Sequence, residues 1–213
     1  MDPIQQLKNN IEASMLASRQ LLQDTDNLAE FGQAVQAVVT RYQQGGRLYI
    51  AGNGGSAADA QHLAAEFVSK LAGDRAPLAA EALTVDSSIL TAIGNDYGYD
   101  LIFSRQLAGK ATKHDIFLGI TTSGRSPNIL KALDTCREIG IPSIVFCGRD
   151  GGSAKSMADY CIVAPGVETS TIQELHIILA HTLCACVEFA IFGDVIADGA
   201  NSDIGQKTES YFN

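Results

Sequence analysis

Apolar positions recur along this chain with two periods and divide it into alternating helices and strands. From Ile4 to Gln44 the spacing is helical. Ile4, Leu7, Ile11, Met15, Leu21 and Leu22 form one stripe and Leu28, Phe31, Val35, Val38 and Val39 another, with Asp24-Thr25-Asp26-Asn27 breaking the run into two helices. Short apolar runs then read as strands at Leu48 to Ala51, Ala79 to Val85, Asp115 to Ile120, Ile141 to Cys147 and Tyr160 to Ala164. Helical stretches separate them, starting at Ser56, near Ser87, near Asp100, at about Ile129 and at Ala154. Strands alternating with helices predict a parallel sheet with right-handed crossovers. The last element, Thr171 to Phe192, is apolar on most faces and predicts a largely buried helix. Residues 1–192 thus read as one α/β domain, and the Gly-, Asp- and Asn-rich tail 193–213 as only partly ordered. The N-terminal helices precede the first strand and have no obvious sheet face to cover, which predicts packing against a partner subunit.

The most informative stretch is Leu48 to Lys70, where an apolar strand breaks into Gly52-Asn53-Gly54-Gly55 and restarts as a helix with Ser56 at the N-cap position. Glycines let the backbone approach a ligand, and a helix N-terminus offers unpaired N–H groups with the positive end of the macrodipole. Phosphate is the expected guest. A second strand-to-helix turn, Thr121-Thr122-Ser123-Gly124-Arg125-Ser126-Pro127-Asn128, carries more hydroxyls than one helix cap needs, and the surplus points to a bound oxyanion. One turn into the first helix, His62 and Glu66 are four apart and share a face, a spacing that suits a metal pair or an acid/base pair. Gln173 and His181, eight apart on the last helix, also share a face, whereas His176 reads as a hydrogen-bonded core residue. In Gly94-Asn95-Asp96-Tyr97-Gly98 the polar pair either caps the helix that follows or meets a ligand. Gly52-x-Gly54-x-x-Ala57 also fits a dinucleotide fingerprint, but the acidic residue that should end the next strand is missing. Asp74 lies in a polar turn and Asp86 comes late, so a nucleotide cofactor ranks second.

Composition narrows the choice. With 46% hydrophobic and 18% charged residues the chain is of the folded, globular kind. A net charge of −9 and a pI near 4.8 repel nucleic acid and anionic membranes, so any phosphate must be held by local donors. Cys136, Cys147, Cys161, Cys184 and Cys186 show no metal-finger spacing and read as buried reduced thiols. The first residues lack a signal-peptide pattern, and no uninterrupted apolar run approaches roughly eighteen residues. A cytoplasmic location is expected.

AGNGGS at Ala51 to Ser56, His62 with Glu66, GNDYG at Gly94 to Gly98, TTSGRS at Thr121 to Ser126 and IQELHxxxxH from Ile172 to His181 together resemble the sugar isomerase (SIS) domain family. The likeness runs from the N-terminal helices to about Phe192. It implies a flavodoxin-like five-stranded parallel sheet sandwiched by helices, and a homotetramer with active sites between subunits. It further implies aldose–ketose isomerisation of a phosphosugar, in the members most alike the conversion of sedoheptulose 7-phosphate to D-glycero-D-manno-heptose 7-phosphate for cell-surface glycans such as lipopolysaccharide. By position, Ser56, Thr121, Thr122, Ser123 and Ser126 would cradle the phosphate. Asn53, Gly54, Gly55, Asn95 and Asp96, with Glu66 and Gln173, would hold the sugar. Glu66 would be the general base and His181 the general acid. Members with metal bind zinc through the equivalents of His62, Glu66, Gln173 and His181, and all four residue types stand here. Lys70 replaces the usual arginine after the glutamate, and Ser170-Thr171 a charged pair before IQE. A noncatalytic member binds a replication initiator and lacks the glutamate, so Glu66 and His181 favour an enzyme over a binding module.

Overall fold

The computed structural model describes residues 1–71 and 73–193; the tail predicted as partly ordered lies outside them from residue 194 on. The chain runs α1 (Pro3–Gln23), α2 (Thr25–Gln43), β1 (Leu48–Gly52), α3 (Gly55–Val68), β2 (Ala80–Ala82) and α4 (Ser87–Asp96). A 3-10 turn (Tyr99–Leu101), α5 (Ser104–Lys110), β3 (Ile116–Thr121), α6 (Pro127–Ile139) and β4 (Ser143–Gly148) follow. A second 3-10 turn (Ser153–Ser156), β5 (Tyr160–Ala164) and α7 (Thr169–Phe192) complete it. All strand pairs are parallel and the spatial order is β2-β1-β3-β4-β5, the flavodoxin-like order expected.

Side chains alternate across each strand, so the sheet feeds two cores. Leu48, Ile50, Leu118, Ile144, Phe146 and Ile162 face α2, α3 and α7. Tyr49, Ala51, Phe117, Val145 and Cys147 face α5 and α6. Both faces are covered, which is why the strands read as continuous apolar runs rather than as alternation. α7 is long and apolar enough by composition to cross a membrane. Here Ile172, Leu175, Leu183, Cys184 and Val187 pack it into the first core.

The edges are finished by polar side chains. β5 is an edge strand, and α2 supplies its missing partners: Glu30 Oε1 accepts from Cys161 N (2.8 Å), and Asn27 both accepts from Val163 N (3.0 Å) and donates to Val163 O (2.7 Å). At the other edge β2 is shorter than its predicted span, because the chain lifts off the sheet after Leu83 and Asp86 caps α4 by accepting from Ile89 N at 2.9 Å. Gly94, Asn95 and Asp96 therefore close α4 instead of opening a loop, and the chain leaves the helix through Gly98 at φ 93°. The helix expected near Asp100 is a 3-10 turn followed by α5, and that expected at Ala154 is a 3-10 turn.

His176 is fully buried and its Nε2 lies 2.9 Å from the Cys147 carbonyl, the core role expected of it. Desolvation by burial pushes its pKa down from 6.5 to about 4. Between those values the unfolded chain binds a proton that the folded chain refuses. The stabilisation is thus fully present above about pH 6.5 and lost as pH falls towards 4, by on the order of 3 kcal/mol. His176→Gln keeps a donor for the Cys147 carbonyl and should flatten that loss in urea denaturation measured across the window. A pH slope equal to that of the wild type would exclude His176 as its source.

Candidate active site

The strand order reverses between β1 and β3, and both glycine- and hydroxyl-rich turns emerge there, at the carboxyl ends of those two strands. Helix α3 leaves over one face of the sheet and α6 over the other, so a crevice opens between the turns, the usual ligand position in such sheets. In the first turn Gly54, at φ 57°, is the N-cap, two residues earlier than the serine predicted for it. Ser56 lies inside the first helical turn with only 3% exposure. In the second, Gly124 at φ 63° presses against the Gly151 carbonyl, where a Cβ would collide.

Cap chemistry sets these two helices apart from α1, α2 and α4, though not from α5 and α7, which also lack a side-chain cap. Asp2, Asp24 and Asp86 accept from first-turn N–H groups of α1, α2 and α4. No side chain caps α3 or α6. Ser126, the N-cap of α6, instead places its hydroxyl 3.0 Å from Thr121 Oγ1. Ser56 N and Ala57 N already donate to the Asn53 and Gly54 carbonyls and Ile129 N to that of Ser126, so an anion here would rely on the hydroxyls and the helix dipoles.

Two helices bring the proposed reacting groups together. His62 Nε2 on α3 stands 3.4 Å from Glu66 Oε1 and 3.0 Å from His181 Nε2 on α7. Gln173, two turns before His181, lies against the start of α3: a Cβ on Gly55 would run into its amide. The four side chains predicted as a set thus line the α3–α7 seam beside the first turn. Thr122 and Ser123 are half-buried in the second turn, where Ser123 Oγ accepts from Arg125 N at 3.2 Å. Asn95 and Asp96 are exposed at the end of α4 and bond to each other at 2.7 Å. Lys70 is exposed, 3.7 Å from Asp74 Oδ1, and Thr171 is buried.

Residues 12–148 match the model of the SIS domain. The chain belongs to the SIS domain family. Among its relatives, the phosphoheptose isomerase of Aneurinibacillus thermoaerophilus is 49% identical over 186 residues, covering 87% of this chain and 94% of its own. The solved phosphoheptose isomerase from Neisseria gonorrhoeae superimposes with a TM-score of 0.81 at 37% identity, covering 86% of this chain and 97% of that one. That from Francisella tularensis gives 0.83 at 33% identity, covering 88% and 98%.

This SIS domain contains site residues that periodicity did not single out. Asn53 Nδ2 donates to Asn128 Oδ1 (2.9 Å) and Asn128 Nδ2 donates back to Asn53 Oδ1 (2.8 Å), locking one turn to the other. Tyr99 donates to the same Asn53 Oδ1 at 3.1 Å and closes the rim. Asp59, one turn ahead of His62, has one oxygen buried without a partner among the described residues, and burial raises its pKa. Only Asn128 had a legible signal, its place at the end of the hydroxyl-rich turn.

His62, Glu66, Gln173 and His181 form the candidate donor set for zinc. Among the described residues no three His, Cys, Asp and Glu side chains already close as a metal-binding group. Pairwise the seam suits the ion: ligands about 2.0–2.1 Å from a tetrahedral zinc stand roughly 3.3 Å from one another, close to the two separations that His62 makes. Two imidazoles and a carboxylate are ordinary zinc ligands. The Gln173 amide would be the weak one.

The reciprocal asparagine pair yields a direct test of how the turns are held. Asn128 is 1% exposed, so Asn128→Leu keeps the volume while removing both bonds. It should lower stability by about 1–3 kcal/mol in chemical denaturation. A change below roughly 0.5 kcal/mol would mean that the pair does not hold the turns together.

Proposed function

We propose that this chain is an aldose–ketose isomerase that converts sedoheptulose 7-phosphate to D-glycero-D-manno-heptose 7-phosphate through an enediol. The observation that carries the reading is the meeting of Glu66, His62 and His181 across the α3–α7 seam, next to two uncapped anion turns. The names of the relatives support the seven-carbon phosphosugar. The product would feed activated-heptose synthesis for cell-surface glycans.

The chemistry needs a base for the proton on the carbon beside the carbonyl and an acid for the carbonyl oxygen. Glu66 takes the first proton and His181 protonates the oxygen, giving the enediol; the proton is then returned to the neighbouring carbon. Each positioned transfer contributes about 10²–10⁴-fold. The phosphate, held by Ser56, Thr121, Thr122, Ser123 and Ser126 at the two helix N-termini, anchors the open chain. Binding energy remote from the reacting carbons thereby holds them against Glu66. Asn53, Gly54 and Gly55, with Asn95 and Asp96, line the path of the sugar hydroxyls.

His62, Glu66, Gln173 and His181 would hold one zinc per protomer, which supplies Lewis-acid polarisation of substrate oxygens when bound. The protein works in the cytoplasm, where its five free cysteines stay reduced. It assembles as a homotetramer through α1, α2 and α7. Ile4, Leu7, Ile11, Met15 and Leu22 are all at least half exposed on α1, as are Ile178 and Phe189 on α7. A groove of about 530 Å³ lined by Leu7, Ile11, Met15 and Glu174 runs between the α1 face and the start of α7. The acidic chain has no nucleic acid or membrane partner in this reading.

Glu66→Gln keeps size and hydrogen bonding but removes the base. Conversion and solvent-proton exchange should fall by about 10²–10⁴-fold while the sugar phosphate still binds. Wild-type turnover in that variant would exclude Glu66 as the base. A wild type that binds the sugar phosphate with neither conversion nor exchange would establish a noncatalytic binding module instead.

Native mass spectrometry of protein purified without chelator should show a tetramer that carries zinc. A monomer at micromolar concentration would refute the assembly, and a tetramer still free of metal after zinc addition would refute the zinc site.

A further inference from the structure

The two helices that carry the reacting pair are also joined by a polar link outside the anion crevice. After α3 ends, the chain turns and Arg75 reaches back with a side chain that is 0% exposed. Its Nη2 donates to the carbonyl of Glu66 at 2.8 Å, Nη1 to the carbonyls of Phe67 at 2.7 Å and Ala76 at 3.0 Å, and Nε to Glu188 Oε1 at 2.7 Å. Glu188, 1% exposed, lies on α7 two turns beyond His181, and its Oε1 also accepts from Leu71 N at 3.0 Å. The guanidinium sits 5.7 Å from the ring centroid of Phe192. One side chain thus fastens the backbone of Glu66 itself to the helix that holds His181.

Stability does not account for this arrangement. A buried ion pair recovers little beyond its desolvation cost, and apolar residues of equal volume often serve as well. Glu188 Oε2, moreover, is buried without a partner among the described residues, a further cost. What the pair supplies is direction. A planar guanidinium donates in a fixed fork, so it sets both the end of α3 and the register of α7 against it. That register determines the 3.0 Å approach of His62 to His181 and the place of Glu66 one turn away.

We propose that Arg75 is a positioning residue for the isomerisation, acting through the Glu66 carbonyl and Glu188 to fix the base on α3 against the acid on α7. The proposal rests on the isomerase reading, and the wild-type assay separates the two: no conversion by the wild type removes that reading, whatever the variants do. Arg75→Lys keeps the charge and loses the fork. In the full-length protein, kcat for sedoheptulose 7-phosphate should fall roughly ten- to a hundred-fold, with KM within about threefold, since a misplacement near 1 Å can cost about 10²-fold. In a Glu66→Gln background the same change should cost less than about twofold, because Arg75 works through that carboxylate. A merely structural role would lower both backgrounds alike. If Arg75→Lys does not fold, the apolar pair Arg75→Met with Glu188→Leu replaces it and is read by the same criterion. A folded variant with kcat within twofold of wild type, or an equal loss in both backgrounds, overturns the proposal.

Discussion

The reversal of strand order between β1 and β3 is the constraint on which the rest of this molecule depends. A parallel sheet must send each strand over one of its faces to return, and here the chain leaves β1 towards β2 and β3 towards β4, in opposite directions and over opposite faces. Only at that point do two neighbouring strands end with no helix crossing between them. Both glycine- and hydroxyl-rich turns lie there, and their helices point N-termini without side-chain caps at the gap. The binding crevice is therefore a consequence of topology, and the glycines and hydroxyls are what the sequence adds to it.

The α3–α7 seam is a second consequence, because α3 can reach the first core only by lying against the long last helix. α7 is apolar enough that its few polar side chains must each find a partner. Those partners come from different elements: Gln173 meets the first turn, His176 the Cys147 carbonyl, His181 the ring of His62 and Glu188 the guanidinium of Arg75. Polar groups in such a helix act as register marks, since sliding α7 by one residue would leave every one of them unpaired. Chemistry and fold specificity are served by the same side chains.

The outer surfaces follow a different logic. The β5 edge is closed by Asn27 and Glu30, and the β2 edge is kept to three residues and carries Glu81 with Arg47 and Lys110 around it. Strand edges are thus blunted while the flank of α1 keeps its apolar side chains in view. The chain thus combines a net charge of −9 with an apolar stripe exposed along one helix.

Read alone, the sequence determined the five strands, their parallel arrangement, both glycine- and hydroxyl-rich turns and the two polar pairs on the third and last helices. These are carried by spacing, at periods of two and of about 3.6 residues, and by glycine and hydroxyl clusters at strand ends. Spacing could not place Ser56 inside the helix rather than on its cap, nor Asn95 and Asp96 in the last turn of α4. A boundary is decided by which backbone groups find partners, here the Tyr97 amide on the Ile93 carbonyl. Nor could it show that Asn128 answers Asn53 across 75 positions, or that Arg75 answers Glu188 across 113. Those contacts depend on where long side chains end after the sheet has brought distant segments together. Local pattern specifies which face a residue takes, and only the folded chain decides what stands opposite it.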